Sequence, residues 1–371
     1  MRTGALTVWI NTRISRRPGS SCNRWVRGRS LLMVGGRPNP VRSANTASAG
    51  MSMKIIDPRM AWATCDPGTG ANERNGFVMS DVSVLGLGLM GSSIAHTLID
   101  KGYSITVWNR TPEKAAPLTA AGGKAAFTAV EAVESSPITL SVLVDSSALV
   151  ECLGDDIDLT GRTIVNLATG TPADARELEQ WVTKRNGLLL SGTISAYPKD
   201  IGTPLGGVNY AGPLELWNRY ADMLLALGGF SRHVGEVITD ACTLDLSMLI
   251  FYMSSIAAFQ EAVVFAEAFG VSPDRLVEFV RPGLPVLERE VDETVRRVDS
   301  GDYTTDEATI GTFHHCMDLV GKASATVAAR PVISSAAREL FALGVSEGRA
   351  NEIPSGVVPL LRQIRDSGRH S

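Results

Sequence analysis

Gly86, Gly88 and Gly91 spell G-x-G-x-x-G within VLGLGLMGSS. Between a strand and a helix such a run can cradle a pyrophosphate. The first glycine permits the tight turn, the second lets phosphate reach the backbone, and the third lets helix and strand pack closely. Leu87, Leu89 and Met90 fill the intervening positions and offer backbone N–H groups at the start of the helix. A glycine turn with a purely structural role is the competing reading, and the apolar run before it with the amphipathic run after it favour the nucleotide.

Roughly 20 residues further on, at the end of the second strand, a site for NAD carries Asp or Glu to accept from the ribose 2′-OH. VWNRTP, from Val107 to Pro112, has no carboxylate. Arg110 instead offers a guanidinium that can hold a 2′-phosphate through two hydrogen bonds, with Asn109 and Thr111 as neutral donors. Thr111 and Pro112 read as the N-cap and first position of a helix whose free N–H groups would face the same phosphate, and Lys114 lies one turn in. A solvated arginine is the bland alternative; the pattern as a whole predicts NADP.

The elements that must position these groups follow from hydrophobic periodicity. Strand-like segments occur at 81–85, 104–108, 138–144, 163–168 and 187–195, with helical segments such as 112–121, 172–185 and 213–227 between them. Val-, Ile- and Leu-rich strands alternating with helices predict an α/β domain, a doubly wound parallel sheet covered on both faces. GVNYAG and GFSRHVG are expected to extend that sheet. The pattern then changes: residues 240–269 contain neither Gly nor Pro and predict one helix about 45 Å long. Helical segments at 285–298, 306–329, 332–343 and 354–365 follow. A long helix that is apolar nearly all round predicts a homodimer in which the partner's helices cover it.

The chain has 371 residues, 44% of them hydrophobic, and a formal net charge of −4. That is enough for two domains and leaves no overall basic surface for nucleic acid. Five scattered cysteines without a C-x-x-C suggest neither a disulfide framework nor a zinc site, and fit a reducing, cytoplasmic setting. The uncharged run 246–259 is shorter than the ~20 residues a bilayer span needs, so no membrane is expected. The first 53 residues hold nine arginines and no Asp or Glu. Residues 1–78 are expected to be disordered or an over-extended start, with an organelle transit peptide as the competing reading. Domains are expected at 79–238 and 239–371.

Near the start of the long helix Asp245 stands among Leu244, Leu246, Met248 and Leu249. Burial there would raise its pKa and suit it to donate a proton; a charge favoured by the helix dipole is the competing reading. Tyr252 lies seven residues on, two turns along the same face, as a second candidate or a core aromatic. His314 and His315 are adjacent on a helix, about 100° apart, so they and Asp318 are not expected to share a metal. Arg296 and Arg297 read as a solvated helix face.

The string VLGLGLMGSSIAHTLIDKGYSITVWNRTPEKA resembles the opening of the β-hydroxyacid dehydrogenase superfamily, whose fold is that of 6-phosphogluconate dehydrogenase. WNRTPEKA is most similar to the imine reductase and reductive aminase branch. The likeness continues through NLATGTPADARELEQW, TISAYPKDIGTP, NYAGPLELWNRYADMLLALGG and HVGEVITDACTLDLSML to YTTDEATI, and covers nearly all of residues 80–365. It implies a Rossmann-type domain, a long interdomain helix and an all-α C-terminal domain that forms an intertwined dimer.

Hydroxyacid dehydrogenases carry a lysine near the start of the long helix, in a G-x-x-x-K-x-x-N type pattern. DACTLDLSMLIFYM has none, and Asp245 stands where the imine reductase branch carries Asp or Tyr. The resemblance therefore implies an NADPH-dependent oxidoreductase that reduces imines to amines, with Asp245 as proton donor or iminium stabiliser. Val144, Asp145 and Thr169 are assigned with it to the cofactor, and Ser146, Ser195, Tyr252 and Met253 to the substrate. Reductive aminases often have Asn where this chain has Ser146, which favours preformed, cyclic imines over amine and ketone condensation. Some members have Tyr where it has Met253. The alternatives are a hydroxyacid dehydrogenase-like enzyme acting on a small carbonyl or hydroxy acid, and a catalytically silent dinucleotide-binding module.

Overall fold

The computed structural model describes residues 79–368. The expectation for residues 1–78 lies outside them. The chain alternates from the start: β1 (Val82–Leu85), α1 (Leu89–Asp100), β2 (Ile105–Trp108), α2 (Ala116–Ala120), β3 (Lys124–Ala125), α3 (Ala129–Glu134) and β4 (Ile138–Ser141). It continues with α4 (Ser146–Leu153), β5 (Thr163–Asn166), α5 (Pro172–Thr183), β6 (Leu188–Ile194), β7 (Val208–Ala211), α6 (Leu214–Leu225) and β8 (Arg232–Gly235). Together the strands make one sheet in the order β3-β2-β1-β4-β5-β6-β7-β8. The first six have the Rossmann order, which reverses direction between β1 and β4.

Two apolar layers hold the sheet. Ile94 and Leu98 of α1, Leu118 of α2 and Leu216 and Leu224 of α6 cover one face with Val84, Val107 and Leu140. Ala132 of α3, Leu149 of α4 and Leu178 and Val182 of α5 cover the other with Leu85, Ile164 and Leu189. Both faces are thus excluded from water, and the hydroxyl residues that interrupt the apolar strands, Ser83, Thr106 and Thr139, are buried with them.

Three expectations are corrected here. β7 does extend the sheet, but antiparallel to β6; residues 195–207 join the two with only a 3-10 turn, Pro198–Asp200, and no crossover helix of the kind that usually makes a parallel return. The strand expected over 138–144 ends at Ser141, because Val142 to Asp145 leave the ladder to form a loop. The helix expected over 112–121 is a 3-10 turn, Pro112–Ala115, followed by α2. Pro117 has no N–H to give to the carbonyl of Glu113, so the Ala116 N–H takes that carbonyl and tightens the turn.

Then comes α7 (Asp240–Ala268), 29 residues long and within one residue of the expected span. α7 is long and apolar enough to span a bilayer by length and composition alone, with a mean hydropathy of 1.6 over its most apolar window. Its first turn is anchored, with Ala241 and Cys242 buried, and it packs against β6, β7, β8 and α5.

The remaining helices are α8 (Pro273–Val280), α9 (Leu284–Ser300), α10 (Ile310–Thr326), α11 (Ile333–Ser346) and α12 (Val358–Ser367). α8 was not anticipated. The side chain of Glu261 on α7 accepts hydrogen bonds from the backbone N–H groups of Val332 (2.6 Å), Ile333 (2.7 Å) and Ser334 (3.1 Å), and so caps α11 from a neighbouring helix. Arg297 is more than a solvated charge: its Nε donates to Glu293 at 2.6 Å.

Candidate active site

The glycine loop is locked by its own backbone. Gly86 has φ +92°, and a Cβ there would lie 2.4 Å from the carbonyl oxygen of Val142. A Cβ on Gly91 would lie 1.8 Å from the carbonyl oxygen of Gly86. Gly88 differs: no atom stands within 4 Å of its missing side chain. It is the N-cap of α1 and brings no capping side chain, so the first-turn N–H groups of α1 receive no side-chain cap. Two glycines close the turn and the third leaves room, as a bound pyrophosphate requires.

At the end of β2 the side chain of Asn109 works in both directions. Its Oδ1 accepts from the N–H of Leu87 at 2.8 Å, and its Nδ2 donates to the carbonyl of Thr111 at 3.0 Å. Asn109 therefore braces the loop, where the sequence suggested a ligand donor. Arg110, Thr111 and Lys114 are exposed beside it. Thr111 occupies the N-cap position with Pro112 after it, but it makes no capping bond with its side chain.

The loops after β4 and β5 complete the carboxyl edge of the sheet. Val144 is 83% exposed there. Asp145 accepts from the Ala148 N–H at 2.8 Å and caps α4. Ser146 receives a hydrogen bond from Nδ2 of Asn166 at 3.1 Å, which ties the two loops together, and Asn166 Oδ1 is buried without a partner among the described residues. Thr169 is exposed at the end of the next loop. Ser195, after β6, accepts from Asn209 at 3.2 Å, and Asn209 in turn accepts from Arg232 at 3.0 Å.

Above this edge α7 carries Asp245. The carboxyl is half-buried, burial pushes its pKa above the ordinary carboxylate value, and no hydrogen bond or ion pair engages it among the described residues. Two turns along, the phenol of Tyr252 faces that of Tyr197 in the loop after β6, and that neighbour raises the Tyr252 pKa. Tyr197 was missed by sequence reasoning, although it lies within the SAYPKD stretch quoted for the resemblance. Met253 is exposed on the neighbouring face of α7. Nε2 of His314 lies 4.0 Å from the carboxylate of Asp318.

A dinucleotide fits this edge: an open glycine, uncapped helix N–H groups, and free cations where a 2′-phosphate would lie. The description "NAD binding domain of 6-phosphogluconate dehydrogenase" matches residues 81–235, and "NADPH-dependent reductive aminase-like, C-terminal domain" matches residues 239–363. The NADPH-dependent reductive aminase of Aspergillus oryzae is 31% identical over 235 residues, which are 62% of this chain and 79% of that protein. The chain belongs to the reductive aminase and imine reductase family.

That family consists of oxidoreductases, and its solved structures extend the likeness to three dimensions. The reductive aminase of Aspergillus terreus in complex with NADPH and ethyl levulinate superposes with TM-score 0.72 at 28% identity, over 76% of this chain and 99% of that one. The imine reductase of Myxococcus stipitatus in complex with NADP+ gives 0.72 at 27% identity over the same shares. Both span the sheet and the helical region, so the Rossmann domain followed by a helical domain is the family fold.

Proposed function

We propose that this reductive aminase relative uses NADPH to reduce the C=N bond of a preformed, cyclic imine, with Asp245 as the acid at the imine nitrogen. Bound NADPH supplies the hydride to the imine carbon. Arg110 and Lys114 hold the 2′-phosphate that separates NADPH from NADH, and Gly88 admits the pyrophosphate to the N–H groups of α1. Val144, Asp145 and Thr169 line the nicotinamide end.

The observation that carries the reading is the state of Asp245: half-buried, with its pKa raised by burial and no hydrogen-bond or ion-pair partner among the described residues. A protonated carboxyl donates to the imine nitrogen and makes the carbon more electrophilic; the carboxylate left behind stabilises the iminium cation. Tyr252 and Tyr197 present two phenols two turns from that acid, and Ser195 and Met253 frame the rest of the substrate space. Ser146 is occupied in bracing the β4–α4 loop to Asn166 and has no side-chain amide to offer an incoming amine, which favours preformed imines over condensation.

The division of labour follows the sheet and the helices, with 79–238 for the cofactor and 239–371 for substrate and assembly. Both apolar core clusters lie in the first of these, while α8 and α9 bury no residue of their own and Phe279 is 84% exposed. Helices without a core need a partner. An intertwined homodimer in the cytoplasm supplies one, covering α7 with helices of the second copy.

The test is NADPH and NADH oxidation measured in parallel with a cyclic pyrroline, with a ketone plus amine, and with the ketone alone. Turnover with the pyrroline and NADPH supports the reading. Turnover confined to the ketone alone would assign carbonyl reduction instead.

A further inference from the structure

Phe127 stands on the loop between β3 and α3, apart from the residues assigned to the site. It is 94% exposed, the largest such exposure among the described large hydrophobic residues. Its backbone is nevertheless fixed. The Phe127 N–H donates to Oε2 of Glu131 at 2.8 Å, and Thr128 next to it caps α3 by accepting from the Glu131 N–H at 3.0 Å. Ala129, Ala132 and Val133 then bury α3 in the second core layer. The ring stands in water on a rigid perch.

The position of that perch follows from strand register. β3 runs parallel to β2 with Val107 opposite Ala125, and the Ala126 N–H donates to the Val107 carbonyl at 2.9 Å. Two residues beyond each member of that pair come Phe127 on one chain segment and Asn109 on the other. Phe127 therefore leaves the sheet at the carboxyl edge, level with Asn109 and one residue short of Arg110. That is the end of the crevice where the adenosine half of a dinucleotide must lie once Arg110 holds its 2′-phosphate.

We propose that Phe127 is a stacking platform for the adenine base of NADPH. A purine has a flat π face and polar edges, so it can cover an exposed ring while its edges stay hydrated, which a purely aliphatic group cannot do. Phe127 then fixes the base while Arg110 fixes the phosphate, and the two together set the adenosine end from adjacent strands. The proposal rests on the cofactor reading above.

The probe is 2′,5′-ADP, which carries the adenosine end and its 2′-phosphate without the nicotinamide, titrated by calorimetry into the full chain. Phe127→Ala is expected to weaken its binding about tenfold, a typical loss when one base stack is removed. Phe127→Leu is expected to be as weak as Ala, and Phe127→Trp to bind at least as tightly as wild type. NADPH should follow the same order. Binding of 2′,5′-ADP by Phe127→Ala within twofold of wild type overturns the proposal, as does full rescue by Leu. A wild-type chain that binds neither 2′,5′-ADP nor NADPH overturns the cofactor reading itself. The ring is 94% exposed, so the variants should fold and melt as wild type does.

Discussion

Oδ1 of Asn109 accepts a hydrogen bond from the backbone N–H of Leu87 at 2.8 Å, so the end of β2 is fastened to the glycine loop by a neutral side chain. The same position in an NAD-type site would hold a carboxylate. Here the acceptor is kept and the charge is gone, leaving Arg110 unopposed beside it.

Cofactor choice should therefore respond to both residues. Arg110→Ala is expected to raise KM for NADPH by roughly 10- to 100-fold, the value of a charge-assisted contact of about 1.5–3 kcal/mol, with little change for NADH. Asn109→Asp keeps the bond to Leu87 and adds repulsion, so it should also shift preference towards NADH. Steady-state kinetics with both cofactors reads this out; an unchanged NADPH to NADH ratio in Arg110→Ala would exclude Arg110 from the 2′-phosphate site.

The glycines separate packing from binding. Gly91→Ala forces a methyl to within 1.8 Å of the Gly86 carbonyl oxygen, and a shift of that kind costs about 1–3 kcal/mol, seen as a lower Tm without ligand. Gly88→Ala meets nothing within 4 Å. It should melt as wild type does and lose NADPH affinity, because its methyl occupies space the pyrophosphate needs.

The readable parts of this chain were those with a strong period. The glycine loop, the long helix and the 3.6-residue pattern of α1 and α5 all stood out, and α7 fell within one residue of its expected span. Weak signals failed for physical reasons. β3 is two residues long and held mainly by β2, and α8 sits between Ser272-Pro273 and Arg281-Pro282, where punctuation hid an eight-residue helix. The direction of β7 goes with a connection that carries no crossover helix, which the composition of the strand does not show. Asn109 as a brace, and Tyr197 and Phe127 at the edge, became visible only when strand register placed them.

The raised pKa of Asp245 has a stability consequence whose sign is fixed. The carboxyl titrates higher in the folded chain than at its ordinary 3.8, because burial disfavours its charge. Its contribution to stability is complete below the ordinary value and is lost as pH rises through the folded one. Asn has no such dependence, so Asp245→Asn should melt above wild type at pH 8, with the gap narrowing as pH falls through the raised pKa. A gap independent of pH, or a more stable wild type at pH 8, would mean the carboxyl is well solvated or paired.

Glu261 tests the packing of the helical region. Its carboxylate receives three backbone N–H groups at the start of α11, from Val332, Ile333 and Ser334, so Glu261→Ala strands them and should cost about 2 kcal/mol. Glu261→Gln keeps an acceptor and should cost about half of that. Urea unfolding of the three proteins gives the comparison, and equal stability of Glu261→Ala and wild type would show the cap to be dispensable.

The central claim is that the Asp245 carboxyl serves the imine nitrogen. It is tested most directly by kcat for a cyclic pyrroline with saturating NADPH in Asp245→Asn, alongside the NADPH dissociation constant of the same variant. The account predicts a loss in kcat of about 100-fold or more with unchanged NADPH affinity. A kcat within a few-fold of wild type, with the cofactor still bound, would contradict it.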